Sequence, residues 1–221
     1  MEVREISTSE TKPFILTMHY AQRMPSISYA FGLFSNNELI GVVTFGKPAS
    51  NSLCIGVCGA KYSSKVFELN RLVLLPNAPT NSASKLVGGA LKMLKPFNLV
   101  IVSYADTAMG HIGFVYQATN WLYTGKTASR TDKYAPLGKH SRHYDKQAKE
   151  VYRVVRSAKH RYVYFAGDKT FGKQAQANLR YPIMKYVKGE SKHYELGTRI
   201  TRLLKDVKTG EIFKESDRND S

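Results

Sequence analysis

No run of apolar residues in this 221-residue chain approaches the length of a membrane span. The opening MEVREISTSETK carries no apolar core of the kind a secretory signal needs. A soluble protein of the cytoplasm with no membrane partner is expected. Cysteine is nearly absent, with Cys54 and Cys58 alone. If both lie on one strand their side chains share a face, where a disulfide is geometrically poor, and no neighbouring histidine completes a zinc site. Reduced, buried thiols are expected. Acidic residues are also scarce, 17 Asp and Glu against 33 Lys and Arg, a formal charge of +16.

The shortage of acid is uneven. Residues 1–125 hold 10 basic and 6 acidic side chains, whereas residues 126–221 hold 23 and 11. A basic region appended to a nearly neutral one points to a polyanionic partner, and the tyrosines interleaved there (Tyr134, Tyr144, Tyr152, Tyr162, Tyr164, Tyr181 and Tyr186) suit base stacking or sugar packing. Nucleic acid is the expected partner, with a solvated basic surface or attraction to anionic lipid as the alternatives. Phosphate contacts are expected from Arg153, Arg156, Lys159, His160, Arg161, Lys169, Lys173 and Arg180. His140 and His143, at i and i+3 in a Lys- and Arg-rich stretch, read as phosphate contacts or exposed helix positions. From about Val207 to Ser221 the chain is polar and charged, as in a flexible tail.

At this length the chain forms one domain with an appendage, and a hydrophobic content of 43% is enough for a core. The organising stretch is Glu68 to Leu94. A mixed polar and β-branched run, Val66 to Leu75, meets a loop of Pro76, Asn77, Pro79, Thr80 and Asn81. Helical spacing follows in Leu86, Val87, Ala90, Leu91 and Leu94. Ser84, or Ser82, is the expected N-cap. A helix N-terminus after a strand is a capped helix on a sheet, or a site for an anion such as a pyrophosphate. Next come Asn98 to Tyr104, a continuous apolar run suited to a strand covered on both faces, a helix from about Met109 to Thr119, and the run Trp121 to Tyr123. This order predicts βαβ pairing, with ligands beyond the carboxyl ends of the strands, where Asp106 stands. Upstream, Ser26 to Phe34 and Leu39 to Phe45 flank the turn signal Ser35-Asn36-Asn37-Glu38 and predict a hairpin. A further strand is expected at Leu53 to Val57. Lys12 to Pro25 reads as a short helix or extended arm.

The candidate chemistry lies near these strand ends. Asp106 is a proton acceptor or the N-cap of the following helix. His19 is a general base, a metal ligand or a buried structural histidine. Arg71 clamps an anion or pairs with Glu68. His19, His111 and Asp106 combine imidazole and carboxylate as non-haem iron requires, without a recognisable spacing motif.

An antiparallel hairpin, a strand of the form E-x-x-R-L-x-V/L, a loop, a helix, a strand and a tyrosine-bearing helix resemble the GNAT acyltransferase fold. The strings HYAQRMPS, GVVTFGKPAS, ELNRLVLL, NSASKLVGGALK, VSYADTAMGHIGFVYQATNWLYTG and KHRYVYFAGDK resemble, over about Lys12 to Gly189, the Mom family of phage DNA-modification proteins. The resemblance implies an α+β fold: a GNAT-like mixed β-sheet, antiparallel in its N-terminal half and parallel βαβ in its C-terminal half, with a basic C-terminal extension. The catalytic core would span residues 1–125, the DNA-binding extension 126–206 and the tail 207–221. It implies an enzyme that converts the N6 amine of adenine in DNA to an acetamido (methylcarbamoyl) derivative and shields phage DNA from host restriction. The alternatives are an acetyl-CoA-dependent N-acetyltransferase acting on a protein, RNA or small-molecule amine, and a non-enzymatic nucleic-acid-binding module. Tyr116 stands where GNAT enzymes place the tyrosine that protonates the leaving group, and it also reads as a core aromatic. Leu72, Val73, Ser82, Ala83, Ser84 and Lys85 would hold acetyl-CoA or a related donor, and iron is a further cofactor candidate. The loop Thr80-Asn81-Ser82-Ala83-Ser84-Lys85 lacks both glycines of the GNAT phosphate loop. Amide-forming acyl transfer from a thioester also differs from bonding N6 to a methylene carbon, so another donor or a metal-assisted carbon activation is required. Adenine N6 lies inside the duplex stack, so base flipping or a single-stranded substrate is expected. Homodimerisation is left open.

Overall fold

The computed structural model describes residues 1–135, 151–190, 197 and 201–217. His140, His143 and Tyr144 lie outside them. In chain order the first elements are β1 (Glu2–Glu5), α1 (Thr8–Pro13), a π-helical turn (Phe14–Met18), β2 (Tyr29–Ser35) and β3 (Glu38–Gly46). The expected hairpin is present, with Asn36 and Asn37 both at positive φ in its turn. Asparagine tolerates that left-handed conformation better than most residues do.

The expected strand at Leu53 to Val57 is instead part of α2 (Asn51–Cys58). Ser50 caps it by accepting the Leu53 N–H, and Gly59 at φ 85° stops it. The side chains it buries, Cys54, Val57 and Cys58, recur at i, i+3 and i+4, so burial of one helical stripe overrode the β propensity of a short apolar run. Both thiols are buried and free.

Beyond α2 come β4 (Val66–Leu74), α3 (Ser82–Leu94), β5 (Leu99–Asp106), α4 (Phe114–Ala118), β6 (Leu122–Lys126), β7 (Arg130–Lys133), β8 (Tyr152–Arg156), β9 (Lys159–Ala166), α5 (Lys169–Ala177), β10 (Leu203–Asp206) and β11 (Ile212–Lys214). Two details of the expected helices change. The cap of α3 is Asn81, at φ 67° and without a side-chain cap bond, not Ser82 or Ser84. The helix expected at Met109 to Thr119 is shorter, because Gly110 and Gly113, both at positive φ, separate a 3-10 turn (Thr107–Met109) from α4.

Among the described residues seven strands form one mixed sheet in the order β1-β2-β3-β4-β5-β9-β6, and four form a second, β11-β10-β8-β7. The parallel expectation holds for β4-α3-β5 only. β6 does not join β5, because β9 runs between them, antiparallel to both. A stretch that the sequence places in the extension therefore supplies an interior strand. β9 qualifies because both of its faces are covered, with the adjacent Tyr162 and Val163 fully buried in opposite cores.

The large sheet is covered on both faces. On one, Leu86, Val87, Ala90, Leu91 and Leu94 of α3 pack against Phe31, Phe45, Leu99 and Ile101. On the other, Val57 of α2 and Ala175 of α5 pack against Val66, Val100, Val102 and Val163. Alternate residues of β5 thus enter opposite cores, as a continuous apolar strand requires. Each of the fully buried leucines contributes about 1.5–3 kcal/mol of transfer free energy.

Candidate active site between diverging strands

The parallel pair β4 and β5 is hydrogen-bonded only at its start, Val66 to Glu68 against Val100 to Val102. Beyond that point β4 continues to Leu74 on the β3 side and β5 to Asp106 on the β9 side, so the sheet splits. Ser103 stands at the fork and bonds the Leu69 carbonyl across it at 2.9 Å. Ligand sites in sheets with parallel strands lie at such carboxyl ends.

Into this split α4 projects Tyr116, whose ring packs on Trp121 and Tyr162 at centroid distances of 5.1 Å each. Its hydroxyl lies 2.8 Å from the Ser103 hydroxyl. Burial drives its pKa well above the ordinary tyrosine value, so Tyr116 stays protonated and acts as a donor.

Glu68, the last β4 residue before the split, is the site residue that sequence reasoning passed over. Burial raises its carboxyl pKa, and the charges of Arg71 and Lys159 only partly offset this. Its signal in the sequence was a lone acid within a largely apolar strand. Arg71 forms no ion pair with Glu68. It donates instead to the carbonyls of Asn70 at 2.6 Å and Arg23 at 3.0 Å. Its Nε–H is buried with no acceptor among the described residues, a donor suited to an anionic ligand.

The π-helical turn delivers His19 to the same cleft. Its Nδ1 accepts the Ala21 N–H at 3.0 Å and its ring stacks on Tyr20. Burial, with the charges of Arg71, His111 and Lys159 nearby, lowers its pKa to about 3. The neutral ring therefore carries its proton on Nε2 and offers a donor there, which opposes a general-base role. Tyr20, half-buried and near Asp106, Arg71 and Glu68, is pushed up to about 12, chiefly by desolvation.

Asp106 closes the far side. One carboxylate oxygen accepts from the Ala108 N–H at 3.0 Å and from the Ser157 hydroxyl at 2.5 Å, and the other pairs with Lys159 at 3.0 Å. Burial raises its pKa, but these hydrogen bonds and the Lys159 charge outweigh burial, and the net shift is downward. It is a cap, as one sequence reading had it, and also a latch between β5 and the turn from β8 to β9. The trio His19, His111 and Asp106 is not assembled as an iron ligand set. His19 has committed Nδ1, both Asp106 oxygens are engaged, and no three His, Cys, Asp or Glu side chains among the described residues converge on one point.

At the start of α3, Asn81, Ser84, Lys85, Gly88, Ala118 and Asn120 help line a groove of about 450 Å³. The left-handed turn that a glycine would make is made by Asn81. Ser84 donates to the Asn81 carbonyl, and Lys85 is exposed. Ser82 is buried with its hydroxyl against the Met1 sulfur, and Val73 belongs to the core with Phe14 and Val42, so neither side chain meets the groove. Leu72 is half-buried on β4 and Ala83 on the first turn of α3.

The expected phosphate contacts separate into groups. Arg153, Arg156 and Lys159 follow one another along β8 into the Asp106 latch. Arg156 pairs with Asp132 at 2.8 Å and Arg153 donates to Thr131. His160 is buried against the Tyr123 hydroxyl, and Arg161 is held by Thr124 and stacked on Tyr181 at 3.3 Å. Both are spent on packing. Lys169 and Lys173 are exposed on α5, whose cap Asp168 bonds Asn98 just before β5, at the opposite end of the sheet from Asp106. Arg180 is exposed beyond α5 and donates its backbone N–H to Val57.

No helix among the described residues is long and apolar enough to cross a membrane. Solved acetyltransferases are similar at low identity. The ribosomal-protein-S18-alanine N-acetyltransferase from Escherichia coli is 8% identical with a TM-score of 0.46, over 76% of this chain and 94% of that one. A GNAT family acetyltransferase from Elizabethkingia anophelis with acetyl-CoA bound is 10% identical with a TM-score of 0.44, over 74% and 97%. Among curated relatives, the methylcarbamoylase mom of Escherichia phage Mu is 32% identical over 133 residues, 58% of this chain and 55% of that protein, so the chain spans about half the length of that relative. The Mom protein family itself matches residues 1–188, most of the chain, and to that family the chain belongs.

Proposed function

We propose that this protein is a DNA-modifying transferase that joins the exocyclic N6 of adenine to the methylene carbon of an acetamide group, protecting phage DNA from restriction in the bacterial cytoplasm. One observation carries the reading: the β4/β5 split gathers a half-buried carboxylate of raised proton affinity (Glu68), a protonated hydroxyl (Tyr116) and an imidazole donor (His19), within a family whose Mu member is named a methylcarbamoylase. Adenine N6 is a weak nucleophile because its lone pair is delocalised into the ring. As the C–N bond forms, N6 must lose a proton. Glu68 suits that acceptor better than Asp106, whose oxygens are already engaged. Tyr116 serves the leaving group or the carbonyl oxygen as donor by turning its one hydroxyl proton away from Ser103, and the buried Arg71 Nε–H serves an anionic part of the donor. The groove at α3 suits the donor's phosphates through Ser84 and Lys85, and the edge of β4 near Leu72 faces the split.

The test is mass spectrometry of nucleosides from the DNA of bacteria expressing the protein, beside Glu68→Gln and Asp106→Asn variants. An adenosine heavier by an acetamide unit, present with the intact protein and lost with Glu68→Gln, supports the reading. Unmodified adenine alongside folded protein that releases thiol from acetyl-CoA with an amine acceptor overturns it in favour of an ordinary N-acetyltransferase.

A further inference from the structure

The small sheet β11-β10-β8-β7 plays no part in the cleft, and its two faces differ in charge. Register places Lys133, Arg153 and Lys205 in one row, and Thr131 with Val155 and Leu203 with Lys214 in the next, all on one face. The other face holds Val154 and Leu204, both buried, and the Tyr152 and Phe213 rings in edge contact at 5.5 Å. The two strand carboxylates also fall on that inner face. Asp132 lies opposite Val154 and Asp206 opposite Tyr152. The outward face therefore carries four cations and, among its described strand residues, no acid. Lys205 and Lys214 are exposed there, and so are Leu203 and Ile212, 42% and 55% accessible.

We propose that this outward face is the docking surface for duplex DNA, an inference that rests on the DNA reading above. Charge complementarity selects a polyanion. Duplex is favoured over single strand because every aromatic ring of the four strands is turned inward, and single-strand binding relies on stacked rings. A second copy of the chain is disfavoured, since a twofold contact would set these cations against themselves. The surface is also tied to the cleft. β8 runs directly into Ser157 and Lys159, the two side chains that hold Asp106, so a duplex on β8 lies beside the rim into which a base must be extruded. The lysines of α5 lie at the other end of the sheet and take no part.

The experiment measures binding of a mixed-sequence duplex to the full chain by fluorescence anisotropy across a salt series. It compares Lys205→Gln/Lys214→Gln, Lys169→Gln/Lys173→Gln, and the charge-matched control Lys92→Gln/Lys95→Gln, with thermal melts to establish folding. The sheet pair is expected to weaken binding about tenfold at low salt and to reduce the log–log salt slope by about 2, while the other two pairs bind like wild type. Equal or greater loss with the α5 pair, or no loss with the sheet pair, overturns the proposal. So does a sheet pair that loses only its binding to phosphatidylserine vesicles, or a chain that prefers single strands. Nucleoside analysis of the same variants separates this inference from the functional reading. Modified adenine with duplex binding unaffected by the sheet pair removes the surface alone, whereas sheet-dependent binding without any modified adenine removes the reaction alone.

Discussion

The Ser103 hydroxyl lies 2.8 Å from the Tyr116 hydroxyl, at the fork where β4 and β5 part. Ser103 has one proton and gives it to the Leu69 carbonyl, so Tyr116 donates to Ser103. Tyr116→Phe removes a donor and leaves Ser103 paired. It is expected to cost about 1 kcal/mol in urea denaturation while abolishing adenine modification. Ser103→Ala frees a buried tyrosine hydroxyl and unbridges the fork, so its stability cost should exceed that of Tyr116→Phe. The reverse order would reassign the donor.

Asp106→Ala removes the acceptor for Ala108, Ser157 and Lys159 together. A loss of about 3 kcal/mol in stability is expected, because a half-buried ammonium is left unpaired. Asp106→Asn keeps the cap and the Ser157 bond and should cost clearly less. Activity lost with Ala but largely kept with Asn would identify Asp106 as the latch rather than the base; denaturant melts read beside nucleoside analysis decide it.

The acid limb of the wild-type pH–rate profile should lie above the ordinary carboxylate range, because burial raises Glu68, and Glu68→Gln should stay inactive at every pH. Stability follows the same sign. A carboxyl whose folded pKa is raised contributes least once pH exceeds that pKa, so Glu68→Gln should be more stable than wild type at neutral pH.

His19 works the other way. Its folded pKa is depressed to about 3, so as pH falls below about 6.5 the unfolded chain takes up a proton that the folded chain refuses. Stability is present above that range and falls towards pH 3, by at most about 1.4 kcal/mol per pH unit. His19→Gln should flatten the acid side of a melting-temperature profile.

Gly113 precedes the helix that carries Tyr116 and has φ 86°. A Cβ there would lie 2.4 Å from the Tyr162 ring. Gly113→Ala is expected to destabilise by about 1–3 kcal/mol and to reduce modification by displacing Tyr116, while Gly172→Ala, which meets open space on α5, serves as the tolerated control. Thermal melts and nucleoside analysis test both.

Much of this architecture was readable from local pattern. The hairpin announced itself through Ser35-Asn36-Asn37-Glu38, α3 through its apolar stripe, and β5 through the apolar run Leu99 to Val102. Leu53 to Val57 misled because a short apolar run looks the same in a strand and in a buried helix. Glu68 was passed over because an acid in a strand is unremarkable until the fold half-buries it at the point where the neighbouring strand turns away.

By itself the sequence determined the β2–β3 hairpin, β4, α3 and β5 and their exposed or buried faces, since alternation and helical spacing depend only on neighbours in the chain. It also determined the basic surplus and the family. Tertiary structure alone decided that β9 enters between β5 and β6, which forces the pairing of Asp106 with Ser157 and Lys159 from across 51 and 53 residues of chain. It likewise decided which cations are spent on packing, as His160 and Arg161 are, and which reach solvent, as Lys205 and Lys214 do. The reason is physical: a charge or a proton affinity is set by what surrounds the group in space, and nothing in a residue's own identity or spacing states what that will be.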